Sequence, residues 1–337
     1  LRQRLQVLLE RLGEPYKLGG SLESVSVSMG ITLFSDAQST SDLMQAADLA
    51  LSQAKETNAS KLQFFNTGIQ REFNYRQQLI AALRKAIKSE TLEIYLQPQY
   101  QQVSPDSTLN CLGFEALLRW CDDELGWVSP AEFIPLAESQ GLMPDLHRLV
   151  LDQVLSSIPR LQRSAPECGA RVAINVSASQ FKTEGFVEDI EQRLLATGIP
   201  GELLELEVTE SMLIDDIEHT ANNMERLKAL GITFALDDFG TGYASLGYLK
   251  RLPLNSLKID QSFIRELDKN NSDEAIVRTV IALGKSLDLN IIAEGVETED
   301  HLRKLQEMGC SRFQGYYFAR PEPVSFWVNS ETFANRS

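Results

Sequence analysis

Seven apolar, strand-like runs of this sequence are each broken near their ends by one residue able to hold a cation or a phosphate. They are Glu115 in "GFEALLRW", Asn175 in "RVAINVS", Glu207 in "LLELEVTE", Asp237 in "TFALDDF", Lys258 in "SLKID", Glu294 in "NIIAEGVE" and Gln314 in "RFQGYY". A carboxylate in an apolar run is costly to bury unless it is paired or binds a metal. Taken singly, each reads as a solvated strand end. Seven together point to one shared site. Its donors are mostly oxygen, which suits Mg²⁺ or Mn²⁺ rather than zinc. The three histidines, His147, His219 and His301, are not spaced as a metal pair, which argues against imidazole-rich metal chemistry.

Asp237 is followed directly by Asp238. Adjacent strand residues face opposite ways, so the two carboxylates share a site only if the chain turns after the first. Gly240 and Gly242 are expected to supply that turn. Asp237 would then bridge two cations while Asp238 reaches back from the loop. Two such cations, about 3.5 to 4 Å apart, clamp the attacking and leaving oxygens of a phosphoester displacement. The residues therefore predict a two-metal phosphodiesterase.

The elements that must position these groups alternate along the chain. From Leu92 onward, eight strand-like runs are separated in the later part by amphipathic helical stretches such as "FVEDIEQRLLATG" and "DEAIVRTVIALGKSLDL". Eight strands over about 240 residues predict an α/β fold, a TIM-like (β/α)8 barrel whose C-terminal mouth carries the chemistry. The link "QYQQVSPDST" is too short for a helical crossover, so the first two strands should be antiparallel. Ahead of the barrel, residues 1–68 read as a partial α/β unit: helix 1–13, strand 24–34, helix 40–56 and strand 61–65. A polar helix over 69–90 supplies a linker at 69–76, and the barrel domain is placed at 77–330.

The 337 residues, 43% of them apolar, suffice for more than one core. Lys and Arg number 32 against 47 Asp and Glu, so the formal charge is 32 − 47 = −15. Nonspecific attraction to nucleic acid or anionic lipid is thereby disfavoured. The four cysteines, Cys111, Cys121, Cys168 and Cys310, form no CxxC pair, and reduced thiols in a cytoplasmic compartment are expected. No run reaches the length of a membrane span. The chain opens inside a helical stretch, which leaves room for an upstream sensor domain and a membrane anchor.

Residues from about 77 to 330 resemble an EAL domain, the bacterial cyclic di-GMP phosphodiesterase. The likeness is carried by "YLQP" (95–98), Glu115-Ala116-Leu117, "PAEFIPLAESQGL" (130–142), "INVSASQF" (174–181), "LEVTES" (206–211), "LDDFGTGYASLGYLKRLPLNSLKID" (236–260), "AEGVET" (293–298) and "FQGYYFARP" (313–321). The resemblance implies that Glu115, Asn175, Glu207 and Asp237 bind one Mg²⁺ or Mn²⁺ ion, and that Asp237 and Asp238 serve a second. It places Lys258 beside the nucleophilic water and makes Glu294 the general base or the group holding that water. Glu210 and Glu297 become supports of the loop after Asp238. Gln97, Arg119 and Gln314 become substrate-binding, with Gln314 also supporting the site floor. The implied reaction is hydrolysis of cyclic di-GMP to linear pGpG, with Ca²⁺ inhibitory, and the implied assembly is a homodimer formed around the "DFG" loop. No catalytic position of the family is replaced, which favours an enzyme over a receptor that binds cyclic di-GMP without cutting it.

"VSVSMGITLF" and "AADLALSQAKETNASKLQFF" resemble the second half of a GGDEF domain, the diguanylate cyclase partner of EAL. The GGDEF signature itself is absent, and Ser52 and Asn58 to Lys61 depart from the family pattern. A regulatory or vestigial segment is expected here.

Overall fold

The computed structural model describes residues 1–36, 39–56, 61–102, 108–164, 166, 168–210, 217–240, 249–267 and 271–329. The chain divides into two compact units, Leu1–Ala82 and Leu83–Ser337.

In the first unit, helix α1 (Arg2–Leu12) leads into a hairpin of β1 (Tyr16–Leu18) and β2 (Ser21–Glu23). Strands β3 (Met29–Ile31) and β4 (Leu62–Phe64) pair in parallel, joined through α2 (Thr40–Glu56). Leu49, Ala50 and Ile69 form the core, with Phe65 packed on it. Gly30 lets β3 lie directly on α2, because a Cβ there would run into the backbone of Ala47 and Leu51. The strand expected over 24–34 shrinks to three residues. Its partner β4 offers only three positions for pairing, and alternation without a neighbouring strand does not make one. The expected linker at 69–76 lies inside α3 (Thr67–Lys88), a continuous helix.

The second unit is built on β5 (Glu93–Gln101), β6 (Asn110–Asp122), β7 (Gly126–Val128), β8 (Arg171–Val176), β9 (Leu204–Thr209), β10 (Thr233–Phe239), β11 (Ser256–Ile259), β12 (Asn290–Ala293), β13 (Arg312–Phe313) and β14 (Glu322–Pro323). Around the barrel the order is β5-β13-β12-β11-β10-β9-β8-β6, closed by β6 on β5. Strand β5 is antiparallel to both of its barrel neighbours, and every other barrel pair is parallel. This is the expected barrel with its antiparallel start. Pro98 is accommodated in β5 because it pairs with Phe114 on one side and, on the other, falls between the residues that pair with β14 and those that pair with β13.

Helices cover the outside. In the helix Met143–Ser164, buried His147, Leu151, Val154, Ile158 and Leu161 recur at steps of four and three, one helical face turned to the strands. Each buried aliphatic side chain of such a stripe contributes about 1.5 to 3 kcal/mol relative to exposure.

Two expectations are corrected. Cys111 and Cys168 are joined as a disulfide, with Cα atoms 4.6 Å apart, while Cys121 and Cys310 are free. Their 57-residue separation gave no spacing signal. The parallel pairing of β6 with β8, which sets Gly113 against Arg171, brings them together. Glu115 also stands mid-strand rather than at an end, because β6 overruns the barrel rim and pairs there with β7.

Candidate active site

Strands β6, β9, β10 and β11, with the residue that follows β12, deliver Glu115, Glu207, Asp237, Lys258 and Glu294 to one point. Lys258, fully buried, is the centre: its Nζ lies 2.5 Å from Glu294 Oε1, 2.7 Å from Glu207 Oε2, 3.3 Å from Asp237 Oδ1 and 3.5 Å from Glu115 Oε2. One ammonium thus faces four carboxylates. Those charges outweigh the cost of burial and hold the Lys258 pKa well above its ordinary value.

The carboxylates divide according to their donors. Glu115 Oε1 accepts from Asn175 Nδ2 at 2.8 Å and its Oε2 accepts from Gln314 Nε2 at 2.6 Å. Burial pushes the Glu115 carboxyl up, but Lys258 and these two amides outweigh it and hold the group below the usual range. Glu207 lacks such amides, and its Oε1 is buried without a hydrogen bond. Burial, with the neighbouring Glu115 charge, drives Glu207 well above the usual range. Burial likewise pushes Glu294 to about 8, against the opposing pull of Lys258.

At the end of β10 the geometry answers how neighbouring aspartates can share a site. Opposite Leu257 to Ile259, β10 runs from Leu236 to Phe239, one residue more, so the pair contains a bulge. Asp238 takes a left-handed φ of +54° within it, and its N–H donates to Asp237 Oδ1 at 3.0 Å. The turn therefore begins at Asp238 itself, before Gly240, whose φ is +102°. Burial, the Asp237 charge and a hydrogen bond with Asp260 raise Asp238 to about 6. Glu210 Oε1 accepts from Gly240 N–H at 2.8 Å, at the start of the loop it was expected to support. The "GTGYASL" segment from Thr241 onward, with the dimer contact expected of it, lies outside the described residues.

A cavity of about 260 Å³ opens over this centre, lined among others by Gln97, Glu115, Arg119, Arg265, Glu294 and Gln314. Gln314 Nε2 donates to Gln97 Oε1 and its Oε1 accepts from Gln99, while Gln97 donates to the Ala319 carbonyl. This amide chain fixes the floor. Arg119 lies over the Tyr95 ring at 5.8 Å and donates to the Leu118 carbonyl. Glu297 Oε1 lies 3.9 Å from Arg265 Nε, and most of the loop that Glu297 was expected to support lies outside the described residues.

Sequence reasoning missed Gln99, Asp260 and Arg265. Gln99 stands two residues after Gln97 on the same strand face, and that period was the available signal, whereas Asp260 lies past the end of the Lys258 strand as the cap of the next helix. Arg265 is on a short helix and gave none.

Among the described residues no three His, Cys, Asp or Glu side chains are set around a metal as they stand, since Lys258 fills the point they surround. The donor set nonetheless fits a hard divalent cation. It offers surplus carboxylate charge, an unpartnered Glu207 oxygen and the Asn175 amide.

The EAL domain model matches residues 80–321, and the chain belongs to the EAL domain family. The model for the diguanylate cyclase GGDEF domain matches residues 1–61. The bifunctional diguanylate cyclase/cyclic di-GMP phosphodiesterase MucR of Pseudomonas aeruginosa is 38% identical over 318 residues, 94% of this chain and 46% of that protein. The cyclic di-GMP phosphodiesterase NbdA of the same organism is 36% identical over 321 residues, 95% of this chain and 40% of that protein. The chain thus spans less than half the length of these two relatives. Among solved structures, the MucR phosphodiesterase in complex with c-di-GMP has a TM-score of 0.68 at 40% identity, covering 74% of this chain and 98% of that one. No helix among the described residues is long and apolar enough to cross a membrane.

Proposed function

We propose that this chain hydrolyses cyclic di-GMP to linear pGpG, using two Mg²⁺ or Mn²⁺ ions. The observation that carries the reading is the convergence of Glu115, Glu207, Asp237 and Glu294 on Lys258 at the mouth of an EAL barrel. The relatives named for cyclic di-GMP hydrolysis and the c-di-GMP complex of MucR support the substrate.

Glu115, Asn175, Glu207 and Asp237 would hold one cation, and Asp237 with Asp238 the second. Bound there, the cations supply positive charge against phosphate oxygens and make water a stronger acid. In the reaction the water oxygen bonds to phosphorus, the P–O3′ bond breaks, and the 3′ oxygen takes a proton. Glu294, with a pKa near 8, is suited to receive a proton from water at neutral pH once it is ionised. The Lys258 ammonium, held charged by its neighbours, orients that carboxylate and faces the reacting phosphate. Gln97, Arg119 and Gln314 contact substrate. Glu210 holds Gly240, and so the start of the loop that follows Asp238.

The domain limits 1–68, 69–76 and 77–330, and a homodimer, belong to the same reading. The experiment is incubation with cyclic di-GMP and Mg²⁺ or Mn²⁺, followed by chromatography for pGpG. Tight binding without product would replace this reading with that of a cyclic di-GMP receptor. Product with Mg²⁺ and none with Ca²⁺ is expected.

A further inference from the structure

Among the described residues, the cavity has two guanidinium groups on its walls, and only Arg119 has a role so far. Arg265 ends the short helix Gln261–Arg265, which starts directly after the strand carrying Lys258. Asp260 Oδ1 accepts from Ser262 N–H at 2.9 Å and ties the helix to the strand end. Ile264 is fully buried, so the helix is also anchored at its other end. Arg265 is thereby fixed at the rim while its side chain stays 56% exposed.

Its counter-ion is weakly held. Arg265 Nε stands 3.9 Å from Glu297 Oε1, beyond hydrogen-bond reach, and the Glu297 side chain is 43% exposed. An exposed pair of this kind contributes little in water, so it yields readily to a better anion. A phosphate offers two oxygens to the guanidinium fork and makes a stronger, charge-assisted contact. Cyclic di-GMP carries two phosphates, of which one is cut. The other must be neutralised in a chain of net charge −15. Contacts to such a remote, non-reacting group contribute to binding and alignment.

We propose that Arg265 is a substrate-recognition residue that exchanges Glu297 for the phosphate of cyclic di-GMP that is not cut. The inference rests on the cyclic di-GMP reading above. Glu297 is then the placeholder for that phosphate in the free protein.

The test is equilibrium binding of cyclic di-GMP in calcium buffer, with KM and kcat in magnesium, for wild type, Arg265→Ala, Arg265→Lys and Glu297→Gln. Arg265→Ala should raise Kd and KM by about tenfold, with a smaller effect on kcat. Arg265→Lys should fall between it and wild type, because it keeps the charge and loses the fork. Glu297→Gln should tighten binding two- to threefold. If Arg265→Ala does not fold, Arg265→Lys carries the test through its thermal midpoint and Kd. Unchanged Kd in a folded Arg265 variant, beside a wild type that binds, overturns the role of Arg265 alone. A wild type that neither binds nor cuts cyclic di-GMP overturns the parent reading as well.

Discussion

Lys258 Nζ lies 2.7 Å from Glu207 Oε2, both side chains being almost completely buried. The ammonium occupies the position toward which the whole donor set converges, so one side chain neutralises part of the charge that a bound cation would neutralise. Lys258→Met should destabilise the metal-free protein by about 3 to 5 kcal/mol, the usual cost of breaking a buried pair. Added Mn²⁺ should restore part of the loss. Urea melts with and without the metal measure both, and equal losses in the two conditions would rule out this role.

Glu115 is held by two amide donors, one on β8 and one after β13. Glu115→Ala removes the proposed ligand and leaves the Gln314 and Asn175 amides without their acceptor. Turnover should fall by more than about a thousandfold, consistent with removal of a charged group from a metal site. Gln314→Ala should cost less, since the carboxylate remains. Pre-steady-state pGpG formation distinguishes the two.

Cation uptake should release protons. Asp238 titrates near 6 and Glu294 near 8, so at pH 6 the site holds protons that a divalent ion must displace. Apparent Mg²⁺ affinity should therefore rise between pH 6 and pH 8. Calorimetry in two buffers of different ionisation enthalpy gives the proton count directly, and zero release at pH 6 would contradict the assignment.

The Glu210 carboxylate accepts a hydrogen bond from the Gly240 N–H. Glu210→Gln keeps an acceptor oxygen and should retain most activity, whereas Glu210→Ala should lower kcat about tenfold, the equivalent of ~1.4 kcal/mol. Equal losses for both substitutions would point to charge instead.

Away from the site, burial pushes His147 down to about 4. The unfolded chain, with a histidine near 6.5, binds more protons between pH 4 and 6.5, so stability is present at neutral pH and lost as pH falls through that window. The expected loss is roughly 2 to 3 kcal/mol. Denaturant midpoints of wild type and His147→Phe at pH 7 and pH 4.5 should differ chiefly in their pH dependence.

The barrel and the residues around Lys258 were legible in the sequence because a charged or amide side chain in an apolar run has few explanations, and seven such runs share one. The antiparallel β5 followed from the length of a link. The disulfide was not legible, since strand pairing alone makes neighbours of Cys111 and Cys168. Nor was Arg265: an exposed arginine on a short helix carries no pattern until the fold places it over the cavity.

The extra residue in β10 opposite Leu257 and Ile259 has a consequence for how the site is encoded. Two consecutive letters of the sequence can serve one chemical centre only because the strand is out of phase with its neighbour by a single position. The site is thus specified by a count as well as by a composition. Removing one residue there would keep nearly every side chain of the protein and still turn one of the two aspartates away from the proposed cation site.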